Sequence, residues 1–173
     1  MIHICCSKKL EKFIAVAKKT DSNLNILHNW NYHLIAIGGK KCLFFMEKKT
    51  LYSVLLLNIQ KKDLPKIEII FLNKFIIQLK VDKIWCSEAE HLLRLEYANF
   101  IFCPTDNDRK TIGTMNDIIS NLKAFIMEKS DKLESAKIIM HEHINHIPLG
   151  ARNYKYAVNL MEIEMDNFGK RFV

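Results

Sequence analysis

Tyr32–Leu57 reads YHLIAIGGKKCLFFMEKKTLYSVLLL, and three short strands stand out in it. Tyr32–Ile37 is rich in β-forming side chains and stops at Gly38-Gly39, a pair suited to a tight hairpin turn. Cys42–Met46 follows, then the polar Glu47-Lys48-Lys49, then Thr50–Leu57. Short polar turns between β-rich runs predict an antiparallel meander. Several neighbouring residues in these runs are apolar on both faces, so helices are expected on more than one side of the sheet.

Upstream, Ile2–Cys6 reads as a buried strand, and Ser7 can cap a helix carrying Leu10, Phe13, Ile14 and Ala17 on one face. Thr20–Asn29 is polar and loop-like. Downstream, Asp63 can cap a helix that tolerates Pro65 in its first turn. That helix carries two apolar stripes, Ile67, Ile70, Phe71 and Ile69, Leu72, Ile76, Leu79, the pattern of a central helix between layers. Ser87 and Glu90 form a capping box. Phe100–Cys103 is the last strand, ended by Pro104. Met115, Ile118, Ile119, Leu122, Phe125 and Ile126 form a helical stripe. Beyond Lys129 come two amphipathic helices, separated by Pro148–Arg152. The expectation is an α+β fold: a mixed, mainly antiparallel sheet packed by helices over residues 1–128, with residues 129–173 a C-terminal helical addition on the same domain.

With 173 residues, 49% of them hydrophobic, the chain can bury a proper core. Its net charge of +7 favours polyanions. Nearly all of that charge is lysine, with Arg only at 94, 109, 152 and 171, a pattern that dispersed surface lysines also produce. Five cysteines without CxxC spacing read as buried small hydrophobes of a reducing compartment. No apolar run approaches the roughly 18–20 residues that span a bilayer, and no signal-peptide pattern opens the chain. A cytoplasmic protein with no membrane partner is expected.

Polar chemistry concentrates in Thr105–Asp117, TDNDRKTIGTMND. Thr114 can cap the helix bearing Met115, Gly113 allows a sharp turn into it, and Asp117 suits its positive end. Capping leaves Thr105, Asp108, Arg109 and Asn116 unexplained. Arg109 either pairs with Asp108 or Asp117 and pins the loop, or joins helix amides in holding a ligand.

The run Arg109–Asp117 resembles the R-S-V-L-G-S-M-N-D signature of a family of small prokaryotic proteins of unknown function, with Arg, Gly, Met, Asn and Asp in register. The likeness extends to the opening strand and helix, to Trp30 before a strand, and to Cys42–Leu57, over about residues 1–128. Lys110 and Thr111 depart from the signature. The resemblance implies a bacterial or mobile-element setting and carries a site without an activity.

Two further clusters carry chemistry. His28-Asn29-Trp30-Asn31-Tyr32-His33 could stack on bases or supply an acid–base pair through His28 and His33, or Trp30 could anchor the core. His141-Glu142-His143-Ile144-Asn145-His146 is not HExxH and reads as a solvated helix face rather than a metal site. Lys40, Lys41, Lys48 and Lys49 fall at hairpin turns, and Lys61, Lys62 and Lys66 follow the third strand. Gathered, they would form a basic rim; dispersed, they protect turns and strand edges. No glycine-rich phosphate loop, nucleophile elbow or familiar nucleic-acid motif is present, and nothing calls for a cofactor. The leading expectation is an intracellular accessory or regulatory binding protein that contacts nucleic acid or a protein partner. The alternatives are an enzyme acting on a nucleotide or phosphoester through Arg109 and nearby carboxylates, and an architectural or oligomeric protein.

Overall fold

The computed structural model describes residues 2–6, 29–84, 87–97, 100–105 and 108–170. The expected helix after Ser7, the polar loop through His28, and the Ser87 half of the capping box lie outside the described residues.

The meander is present. Strands β2 (Asn29–Ile37), β3 (Lys40–Glu47) and β4 (Ser53–Leu56) pair antiparallel in sequence order. Gly38 and Gly39 take φ of 55° and 75°, the left-handed region that a tight hairpin needs and glycine supplies without strain. Strand β1 (Ile2–Cys6) adds to β2 in parallel, and β5 (Phe100–Pro104) adds to β1 in parallel. The sheet is therefore mixed, ordered β4-β3-β2-β1-β5, with two antiparallel and two parallel pairings.

One face of this sheet carries Trp30, Tyr32 and Phe45, and helix α1 (Ile67–Val81) packs on it. Trp30 meets Phe71 and Phe75 edge-on at 5.0 and 5.2 Å, and Phe71 meets Phe100 at 5.5 Å. Of the two stripes expected for α1, the residues that face the sheet are buried, but Ile69 is 63% exposed. The helix thus covers one layer instead of lying between two. Its start also differs: Asp63 closes a 3-10 turn over Lys61–Lys66 that holds Pro65, and the α-helix begins only at Ile67. A short helix α2 (Ser87–Glu96) precedes β5; in it Glu90 binds Arg94 and Lys80.

The other face presents Asn31, Ile35 and Ile37, all buried. Helix α3 (Arg109–Ile126) contacts β2 and buries Thr111, Met115, Ile118, Ile119, Leu122 and Ile126. Helix α4 (Lys132–Glu142) runs beside the β4 edge; Ala136 and Met140 are its buried residues. A 3-10 turn (Ile144–His146), a two-residue ribbon of β6 (Pro148–Leu149) with β7 (Lys155–Tyr156), and helix α5 (Ala157–Gly169) complete the described chain. The separator expected over Pro148–Arg152 is thus the first half of a small hairpin. Met161, Met165 and Phe168 of α5 join the common core. Among the described residues no helix is long and apolar enough to cross a membrane.

Candidate functional site

The signature run is helix from its first residue. The cap is Asp108, whose carboxylate accepts the amides of Lys110 at 3.1 Å and Thr111 at 3.2 Å, and the Thr111 hydroxyl. This corrects the expected start at Thr114 by six residues. Thr114 lies inside the helix and donates its hydroxyl to the Lys110 carbonyl at 3.0 Å. Gly113 is helical, with open space where a Cβ would stand. Burial opposes ionisation of Asp108, but the Thr111 and Lys110 donors and nearby Lys48 outweigh it and hold its carboxyl below the usual range.

Arg109, Asn116 and Asp117 all stand exposed on α3. Eight positions of helix separate Arg109 from Asp117, roughly 12 Å along the axis, too far for that one of the two expected ion pairs, and the Asp108 carboxylate of the other is turned to the cap. Among the described residues Arg109 makes no hydrogen bond or ion pair. Thr105 follows β5, partly buried and with a bonding partner of its own. Trp30 is wholly buried in the aromatic core, and His33 is partly buried on β2. His28 lies outside the described residues.

The lysines divide into two groups. Lys48 and Lys49 sit at the far end of β3 from Lys40 and Lys41, roughly 25 Å away for an eight-residue strand. Lys48 reaches onto the face that carries Asn31, its ammonium 3.1 Å from the Cys5 sulfur. Asn31, Cys5 and Cys103 form one lateral row across β2, β1 and β5 there. Lys49 pairs with the buried Glu164. Arg152 donates to the carbonyls of Lys48 and Lys49 at 2.6 and 2.8 Å, clasping that turn.

The other group gathers at the hairpin end. Ile59 donates to the Lys41 carbonyl at 2.7 Å, folding the chain after β4 back onto the hairpin. A narrow slot of about 30 Å³ opens there, with Leu34, Leu43, Ile59 and Leu64 as its apolar walls and Lys41 and Lys61 at its rim. Lys40 and Lys62 are exposed beside their neighbours in sequence. On the other side Lys132 packs against Gly38, their β-carbon positions 3.5 Å apart. The acids nearest in sequence already have work: Asp63 accepts the Gln60 amide at 2.8 Å, and Asp131 caps α4.

Besides Glu164, two buried carboxylates escape a reading of the sequence. Asp82, just past α1, has a fully enclosed side chain. It accepts from the Tyr52 hydroxyl, from Gln78 at 3.2 and 3.3 Å, and from Asn145 at 3.2 Å, with His146 Nε2 also at 3.2 Å. Asn145 also takes the edge-facing amide and carbonyl of Ser53, at 2.8 and 3.2 Å, sealing β4. Glu47 is the second. Its Oε2 accepts both the Lys49 and Thr50 amides and the Thr50 hydroxyl, while its Oε1 has no partner among the described residues. Burial, and Glu164 nearby, push its carboxyl above the usual range despite those donors.

The histidine-rich end of α4 is divided rather than convergent. His141 contacts Lys74, whereas His146 contacts Asp82. Among the described residues no three His, Cys, Asp or Glu side chains converge as metal ligands do.

No curated protein matches the chain. One family does, a domain of unknown function designated DUF6933, and it matches residues 3–160, thereby spanning the meander, the signature helix and the Asp82 junction. A match over so much of the chain makes this protein a member of the DUF6933 family.

Proposed function

We propose that this protein is a polyanion-binding accessory module whose ligand is nucleic acid, engaged by the hairpin end of the sheet. The observation that carries the reading is the pair Lys41 and Lys61 at the rim of one apolar slot, with Lys40 next in sequence, Lys132 packed on the hairpin glycine Gly38, and the acids nearest in sequence engaged in caps and turns. Lysines at such a rim meet phosphates, and the slot gives an unstacked base an apolar wall. The reading needs no catalytic group, whereas the phosphoester-enzyme reading would join Arg109 to Asp108, which is engaged as the helix cap, or to Asp117, two turns along the helix.

Fluorescence anisotropy with labelled single-stranded and duplex oligonucleotides, read from low to moderate salt, tests it. Binding is expected to weaken steeply with salt, since each phosphate contact releases counterion. A Lys40→Glu, Lys41→Glu, Lys61→Glu triple variant with an unchanged melting curve should lose most of that binding. No binding at low salt, or full binding by the triple variant, removes the reading.

A further inference from the structure

A second, larger cavity of about 260 Å³ lies where α1, α4 and the end of β4 meet. Leu55, Leu57, Ile59 and Ile70 make its walls, and Lys74 and Lys137 stand at its mouth. Lys74 comes from the middle of α1 and is half-buried. Its ammonium touches one polar atom, Nε2 of His141 on α4. Burial, then the charge of Lys137, lowers the Lys74 pKa; burial, Lys74 and Lys137 likewise lower that of His141.

Three basic groups therefore share one seam. Of the acids beside them, Glu134 pairs with Lys137 at 3.0 Å, and Asp82 is occupied by Tyr52, Gln78, Asn145 and His146. A half-buried cation without a carboxylate costs free energy that a bound anion would recover. Lys137 already has Glu134, so the mouth has about one uncompensated positive charge, matching a monoanion better than a dianionic phosphate. The cavity behind it is apolar and smaller than the roughly 300–1,000 Å³ of drug-sized sites, so a medium-length chain fits.

We propose that this cavity binds a medium-chain carboxylate of about eight carbons, its chain against Leu55, Leu57, Ile59 and Ile70 and its carboxylate on Lys74 and Lys137. The site shares the Ile59 wall with the hairpin-end slot but has its own cations, and it does not rest on nucleic-acid binding there.

Isothermal titration calorimetry with octanoate at neutral pH tests the assignment, with acetate, octanol and octylamine as comparisons. Octanoate is expected to bind saturably at one site, at least tenfold tighter than octanol, while acetate and octylamine bind negligibly. Lys74→Met should weaken octanoate at least tenfold, and Ile70→Trp, which fills the cavity, should abolish binding; both are checked for an unchanged fold by circular dichroism. The Lys40→Glu, Lys41→Glu, Lys61→Glu variant should bind octanoate like the parent. Absence of saturable octanoate binding, equal binding of octanol, or parental affinity in Lys74→Met overturns the proposal.

Discussion

Along the outer side of α3, Arg109, Asn116 and Asp117 point into solvent, whereas around Asp82 five polar side chains from α1, the start of β4 and the turn after α4 close on one another. The first region has a family-like motif and few contacts. The second has no motif, yet it ties the helices after α3 to the sheet. A buried carboxylate with several donors is sensitive to loss of any member, because each stranded donor keeps its desolvation cost. An exposed guanidinium on a helix loses little when removed. Composition draws attention to α3, while the energetics point to the junction.

Asp82→Ala puts the largest strain on that comparison. It leaves Tyr52, Gln78, Asn145 and His146 without their acceptor and should cost about 3–5 kcal/mol, read as a fall in the denaturant midpoint. A loss near that of an ordinary surface substitution would mean the junction is decorative. Asn145→Ala comes next. It removes one donor to Asp82 and reopens the Ser53 edge groups, and should cost about 2–3 kcal/mol with the β4 edge amide exchanging faster.

On the signature helix, only Asp108 is expected to matter comparably. Asp108→Ala removes the cap and should cost about 1 kcal/mol. Because the native pKa of Asp108 is depressed, its stabilisation is present above the ordinary carboxyl value of 3.8 and is lost as pH falls through the native one. The variant should therefore show a shallower loss of stability on acidification. Glu47 has the opposite sign: its native pKa is raised, so its contribution is full below the ordinary 4.5 and is lost as pH rises through the native value. Glu47→Gln keeps an oxygen for the Thr50 and Lys49 donors and should flatten that decline in melting curves taken across this range. Arg109→Ala is the smallest, within about 0.5 kcal/mol. A large destabilisation by it would restore the idea that Arg109 pins the loop.

The meander was readable because each of its signals is local. Gly38-Gly39 and Glu47-Lys48-Lys49 interrupt β-rich runs, and both turns form there, although the second runs on through Thr50 and its strand starts at Ser53 instead of Thr50. The start of α3 was misread because Thr114 and Gly113 resemble a cap and a turn, while Asp108, six residues earlier, caps in fact. Local propensity cannot rank two competing caps when burial of Thr111 and Met115 selects between them. Of the second stripe of α1, Leu72, Ile76 and Leu79 are buried as expected, and only Ile69, at its N-terminal end, found no cover.

The sequence by itself established a mixed α+β domain, the hairpin and helices after Lys129, since periodicity and turn chemistry act over a few residues. Tertiary structure alone decided which lysines meet, that Lys74 meets His141, and that Asp82 collects donors from residues 30 and 63 positions away. Those pairings depend on how layers stack, and packing free energy is shared among residues that no window of sequence places together.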